Sequence, residues 1–316
     1  AILILTSGNP KEKQPRPVYP VHPQVSIVNI DLKAPDEISA HLIAARVELL
    51  AVFASGQYIA NFVRLAKRLR DIPLLLAERA EPRASFATYW NAHDFASYID
   101  TYAQADTICL QFDSFRKAFP VSLQSKIEVI PNPIPAQALA VSYPESSRTI
   151  VCVARIRLDQ KQQDVLVEAF AAIAQKYPEW RLEFYGRGHK EDGEQLKKKI
   201  ETLGLADRIF LRGITRDVPA VLAKTAIFVL PSAFEGFPNS LCEASMMNVP
   251  VVGFSACPGV KELIKHNENG ILVEGSRDAE GLANALERLM KDRDLRAELG
   301  ANGPKSLEAY HAPKAL

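Results

Sequence analysis

The four cysteines of this 316-residue chain, Cys109, Cys152, Cys242 and Cys257, form no Cys-x-x-Cys pair and have no histidine cluster beside them. That scarcity excludes a disulfide scaffold, argues against structural zinc and fits a reducing cytoplasmic compartment. A charge excess of either sign is missing too: 38 basic and 37 acidic residues leave +1, so there is no electrostatic basis for wrapping nucleic acid. No apolar run approaches the roughly 20 residues of a membrane-spanning helix, because Arg46 and Glu48 break the longest candidate region. The chain has neither an initiator methionine nor a signal peptide ahead of its first strand-like residues, from which an upstream strand and helix are expected to be missing. No nucleophilic triad is visible.

What is present is a repeated alternation of short apolar runs and amphipathic stretches. Runs of strand length lie at 1–6, 25–30, 49–54, 74–77, 107–111 and 127–130, and again at 149–154, 181–185, 209–211, 227–230, 251–254 and 271–273. Between them, Val165, Leu166, Ala169, Phe170 and Ile173 share one helical face, as do Leu282, Ala285, Leu286, Leu289 and Met290. The run Pro131-Asn132-Pro133-Ile134-Pro135 stops both helix and sheet, so an interdomain linker is placed just after it. The expected architecture is α/β, with two doubly wound, Rossmann-like domains at 1–140 and 141–316. They face each other across a cleft at the C-terminal edges of their sheets, where open α/β folds bind ligands.

The densest chemical signal runs from Leu230 to Glu243. Glu235 falls in the loop that ends a buried strand, and Glu243 falls in a helix opening near Asn239. Between them lie Gly236, Phe237, Pro238, Asn239, Ser240 and Leu241, whose early-helix amides are free to donate to a sugar hydroxyl or a pyrophosphate. Gly236 permits close backbone approach. A second reading stays open: Ser240 and Glu243 are also spaced as a capping box, in which the glutamate serves its own helix.

The stretch Glu-Gly-Phe-Pro-Asn-Ser-Leu-x-Glu-Ala after Val-Leu-Pro-Ser resembles the Glu-x7-Glu signature of glycosyltransferase family 4, whose members have the GT-B fold and retain anomeric configuration. The likeness continues. Ala154-Arg155 followed by Lys161 resembles the family element whose cations hold the donor diphosphate, with Gln162 where the family usually has glycine. Gly186-Arg187-Gly188 resembles its Gly-x-Gly turn, and Arg212-Gly213-Ile214 the segment lining the nucleobase. By residues alone, a short Gly-x-Gly after a strand is as well read as a simple turn. The segments at Pro258–Glu262 and Asn269–Val273 resemble later, architectural elements. In the first half, 127–134 resembles the domain-closing strand and hinge, while the family's glycine-rich loop after the first strand is absent. Leu76–Pro82 resembles the variant of transferases acting on lipid-linked sugars, which makes Arg79 a candidate cleft residue; an ion pair with Glu78 or Glu81 is the structural alternative.

The resemblance implies catalytic roles for Arg155, Lys161 and Glu235, and donor binding by Gly186, Gly188, Gly213, Ile214, residues 236–241 and Glu243. It implies a nucleotide-sugar donor, UDP-linked by the same likeness, a glycan or lipid-linked acceptor, and neither cofactor nor metal. A sugar-nucleotide epimerase or phosphorylase on the same fold, and a non-catalytic nucleotide-sugar-binding subunit, are the alternatives. Phe62, Leu65 and Leu69 share a helix with Arg64, Lys67, Arg68 and Arg70, which reads either as a basic surface for an anionic membrane or as an ordinary core-facing helix. Asp292-x-Asp294, among Lys291, Arg293 and Arg296, reads as a solvated charged face. The lysines at 197–199 read likewise, and His93 and His189 as satisfied structural histidines.

Overall fold

The computed structural model describes residues 2–7, 25–30, 40, 42–44, 46–53, 72–89, 95–134 and 146–310. The basic amphipathic segment around Phe62 and the histidine at position 93 lie outside them. The chain divides into two compact units, Ala1–Ile130 and Pro131–Leu316, so the proline-rich segment begins the second unit.

In the first unit, β1 (Ile2–Ser7) and β2 (Val25–Ile30) pair in parallel. β3 (Leu50–Val52), β4 (Leu74–Ala77), β5 (Thr107–Leu110) and β6 (Ile127–Val129) form a second parallel sheet in that order. Helix α1 (Pro82–Tyr89) follows β4 and α2 (Phe95–Ala103) precedes β5. Aromatic rings pack beside this sheet: Tyr98 lies 4.8 Å from Tyr102, and Tyr102 lies 5.2 Å from Phe119, between centroids.

The second unit carries one six-stranded parallel sheet built from β7 (Thr149–Val153), β8 (Arg181–Tyr185), β9 (Ile209–Gly213), β10 (Ile227–Leu230), β11 (Val251–Phe254) and β12 (Gly270–Val273). Their spatial order, β9-β8-β7-β10-β11-β12, is the 3-2-1-4-5-6 arrangement of doubly wound nucleotide-binding sheets. Every residue of β10 and β11 is buried, as expected of strands covered on both faces. Helices α3 (Leu158–Lys161) and α4 (Gln163–Ala174) follow β7, α5 (Lys190–Thr202) follows β8, and α6 (Val218–Leu222) follows β9. Next come α7 (Asn239–Met246), α8 (Pro258–Leu263), α9 (Ala279–Lys291) and α10 (Arg293–Ser306). The two amphipathic faces expected from sequence, on α4 and α9, are buried in one core cluster with Ile150, Leu182 and Phe184.

Two charged segments depart from the expectation of a solvated face. Arg296 is only 2% exposed. Its guanidinium donates to the Leu289 and Met290 carbonyls at the end of α9 and lies 5.4 Å from the Trp180 ring centre, so helix-end acceptors and a flat ring replace water. Asp292 caps α10 by accepting from the Leu295 amide at 2.8 Å. Lys197 and Lys198 are exposed, whereas Lys199 is half-buried and paired with Glu168. All four cysteines are buried and free.

Candidate functional site

In the 3-2-1-4-5-6 order the sheet reverses direction between β7 and β10, and the loops leaving those two strands diverge around a crevice. Here they are stitched together. The Ala233 amide donates to the Gln160 carbonyl at 2.8 Å, and Gln160 Nε2 donates to the Phe234 carbonyl at 3.2 Å. Lys161 Nζ, from the first loop, donates to Glu235 Oε1 of the second, and Ser232 Oγ donates to the same oxygen at 2.7 Å. Both ion-pair members are largely enclosed, with side chains 12% and 10% exposed. Glu235 Oε2 has no hydrogen bond to any described residue. The thiols of Cys152 and Cys257 flank the pair, and burial pushes each up to about 12, so they remain neutral walls.

The aim of Lys161 depends on the residue after it. Gln162 adopts the left-handed conformation, with φ 49° and ψ 38°, joining α3 to α4 where the resemblance leads one to expect glycine. Its buried side-chain amide is anchored to Ser276 Oγ at 3.2 Å, so tertiary contacts hold a conformation that a side chain disfavours. Gln163 fixes the other end of the loop, donating to the Arg155 carbonyl at 2.8 Å.

A cavity of about 590 Å³ opens beside this loop at the ends of β7, β8 and β9, within the size range of small-molecule sites. Val153–Arg157, Tyr185–His189, Ile214, Thr215 and Val218 line it. Arg155 and Arg187 are exposed and have no ion-pair partner among the described residues. The Gly-x-Gly element is more than a turn: a Cβ on Gly186 would stand 2.0 Å from the Ala154 carbonyl oxygen, and one on Gly188 only 1.6 Å from that of Ile156. Both glycines let the turn lie flush on the β7 edge, so Arg187 is its one side chain. The Gly186 amide donates to the Gly213 carbonyl at 2.7 Å, which brings Arg187 and the exposed Ile214 onto adjacent turns.

The structure therefore gathers Arg155, Gly186, Gly188 and Ile214 around one cavity and joins Lys161 to Glu235 beside it, while Lys161, Glu235 and residues 236–243 do not line the cavity. Glu243 projects from α7, exposed and without a hydrogen-bond partner among the described residues; the protein around it still desolvates the carboxyl and raises its pKa. The capping box is not formed, because Ser240 lies inside the helix and Pro238 occupies the cap position without a side-chain bond.

His189 corrects its expected role: it is exposed at the start of α5, its ring has no hydrogen-bond partner among the described residues, and it lines the cavity. In the first unit, Glu78 and Glu81 are engaged elsewhere. Glu78 accepts four hydrogen bonds, and Glu81 accepts from the Ala84 amide at 2.7 Å. Arg79 stacks over Phe53, 5.8 Å from its ring centre. Among the described residues, no group of three or more histidine, cysteine, aspartate or glutamate side chains could hold a metal ion. No helix among them is long and apolar enough to cross a membrane.

Sequence reasoning missed Ser232, Arg187, His189 and Gln160. The first two lie inside quoted motifs and could have been found by asking which polar side chains flank a strand end; the other two carry no local signal.

Comparison with known proteins bears on the family and the fold. The chain is 31% identical over 170 residues to an uncharacterized glycosyltransferase of Haemophilus influenzae, covering 54% of this chain and 47% of that protein. It is 30% identical to the poly(glycerol-phosphate) alpha-glucosyltransferase of Bacillus subtilis, covering 57% of this chain and 26% of the relative. It thus spans about half or less of the length of these curated relatives. Among solved structures, HepE of Anabaena in complex with UDP and glucose superimposes with a TM-score of 0.76 at 17% identity, over 91% of this chain and 83% of that one. A Staphylococcus aureus TarM variant in complex with Fondaparinux, alpha-GlcNAc-glycerol and UDP gives 0.74 at 19% identity, over 87% and 55%. These likenesses establish the GT-B fold. Residues 140–306, more than half of the chain and the whole of the sheet with its stitched loops and cavity, match the model of the glycosyl transferases group 1, and the chain belongs to that family.

Proposed function

We propose that the protein is a retaining glycosyltransferase that moves a sugar from a nucleotide-linked donor to a glycan or lipid-linked acceptor. The observation that carries the reading is the Lys161–Glu235–Ser232 constellation at the sheet's reversal point, adjoining a cavity bordered by the unpaired Arg155. Arg155 and Lys161 stand beside the leaving diphosphate and stabilise the charge it gains as its bond to the sugar breaks, so that no metal is required. Glu235 Oε2 accepts from a sugar hydroxyl, and Glu243 accepts from the ribose. Gly186, Gly188, Gly213 and Ile214 border the nucleoside, while the amides of residues 236–241 meet the sugar and phosphate.

Retention follows from attack on the face the diphosphate leaves. The bond from the acceptor oxygen to the anomeric carbon forms as the carbon–phosphate-oxygen bond breaks, and the departing phosphate oxygen takes the acceptor's proton, so no side chain serves as base. UDP as the donor nucleotide is supported by the UDP complexes of the fold neighbours. Relatives described as a phosphatidylinositol monomannoside mannosyltransferase and a poly(ribitol-phosphate) alpha-N-acetylglucosaminyltransferase support an envelope-glycan acceptor at the cytoplasmic membrane face. Arg79, at a strand end of the first unit, is the candidate acceptor-side cation.

Incubation with radiolabelled UDP-glucose, UDP-N-acetylglucosamine or GDP-mannose, with and without a crude lipid fraction, tests the reading. Label appearing in a glycan or lipid product supports it; donor that is only epimerised, or bound and released intact, refutes it. Flotation with anionic liposomes tests the membrane surface, and a chain left at the bottom of the gradient removes that part.

A further inference from the structure

The loop from Glu235 to Asn239 lacks the usual device for fixing a helix entry, since no side chain caps α7. It is held from outside instead. A Cβ on Gly259 would stand 2.2 Å from the Gly236 carbonyl oxygen, so the start of α8 presses directly on the loop. Tyr310 meets the Phe237 ring edge-on at 5.7 Å. Asn132 Nδ2 donates to Asn239 Oδ1 at 2.6 Å. The segments that bring Asn132 and Tyr310 are joined in turn, with the Ile134 amide donating to the Tyr310 carbonyl at 3.2 Å. Both residues lie outside the family-matched stretch 140–306, one before it and one after it.

A buried asparagine is costly unless its amide is bonded, and Asn132, 8% exposed, directs that amide at an exposed partner 107 positions away. The bond has a sense. Because Asn132 donates, Asn239 Oδ1 is turned toward it, and Asn239 Nδ2, with no bond to a described residue, points the other way as a hydrogen-bond donor at the first residue of α7. We infer that Asn132 is a positioning residue for the donor sugar: it fixes Asn239 with its N–H groups presented, so that Asn239 donates to an oxygen of the hexose. This rests on the reading that the loop at 235–239 grips a nucleotide sugar.

The test is calorimetric titration of the full chain with UDP-glucose, GDP-mannose and UDP alone. N132A should bind the sugar nucleotide that wild type prefers about tenfold more weakly, with UDP alone unchanged. The double variant N132A/N239A should be no weaker than N239A, because the two residues act through one bond. N132D separates positioning from mere packing. An aspartate at 132 accepts from a flipped Asn239 amide, so the contact survives while the outward group becomes an acceptor, and sugar-nucleotide affinity should fall as in N132A, with UDP alone again unchanged. Wild-type affinity in N132D, or additive losses in the double variant, overturns the inference and leaves the donor reading standing. Wild-type protein that binds none of the three ligands overturns both.

Discussion

Each unit of this protein buries a glutamate just beyond the end of a parallel strand, and the two are satisfied in opposite ways. Glu78, after β4, is fully buried among neutral donors: Tyr102 at 2.6 Å, Ser85 at 3.0 Å, Tyr98 at 3.3 Å and the Ala80 amide at 3.1 Å. Desolvation outweighs those bonds and raises its pKa. Glu235, after β10, is met by a cation and one hydroxyl, and keeps an oxygen free. A carboxyl with both oxygens taken, one by three hydroxyls and the other by a backbone amide, has little left to offer a ligand. One held by a single lysine can exchange that partner, or share it, when a diphosphate arrives. On the proposed reading the contrast separates Glu78, an architectural carboxyl, from Glu235, a ligand-binding one, although both look alike as acidic residues at a strand end.

The contrast breaks most visibly at Lys161. Lys161→Ala should lower turnover by about 10²- to 10³-fold, since a charge developing in the transition state loses its partner. It should also cost about 3 kcal/mol in chemical denaturation, because Glu235 is left enclosed beside one hydroxyl. Turnover equal to wild type would remove the catalytic assignment. On the other side, Tyr102→Phe deletes the shortest bond to Glu78 and should cost about 1–3 kcal/mol in the same measurement. Its donor affinity should be unchanged, and a weakened donor would erase the distinction between the two glutamates.

Acidity gives a finer separation. Glu78 has a folded pKa above its ordinary 4.5, so the fold binds its proton more tightly than the unfolded chain does. Stability from this group is present at low pH and declines as pH rises from near 4.5 through the raised folded value. Between mildly acidic and neutral pH, wild-type Tm should therefore fall further than that of Glu78→Gln, whose amide does not titrate; parallel curves would show that Glu78 ionises freely. The smallest effect concerns Gln162→Gly. Releasing a left-handed side chain should recover about 1 kcal/mol, offset by the lost amide contact with Ser276, for a net change within about 1 kcal/mol. A large loss of activity without loss of stability would show that the Ser276 contact aims Lys161.

Much of this was readable from residues. Strands such as β10 and β11 announce themselves because burial on both faces demands continuous apolar runs, and α4 and α9 because a single buried face imposes helical spacing. Glu235 was legible as part of a dense local motif. Its pairing with Lys161 was not, since the two are 74 positions apart and meet only because β7 and β10 are neighbours in the sheet. Arg296 misled because its charged neighbours look solvated, whereas it turns back onto the carbonyls of Leu289 and Met290 at the end of the preceding helix and meets Trp180 from far earlier in the chain. His189 misled in the opposite direction: although it follows the Gly186-Arg187-Gly188 turn, nothing in its residue type shows that it faces the cavity, just as the proline-rich run around Asn132 marks a stop without showing that its amide meets Asn239.

The strand β7 borders β8 on one side and β10 on the other, and its outgoing loop serves the cavity at one end and the ion pair at the other. The two halves of the sheet are therefore separately adjustable. If the proposed function holds, substitutions in the turns after β8 and β9 should retune which nucleoside is welcomed without disturbing the carboxylate after β10, and a new sugar should be accommodated beside Glu235 without redrawing the nucleoside's seat. Divergence in such a chain should proceed by halves, with the loop from Arg155 to Lys161 as the fixed ruler between them.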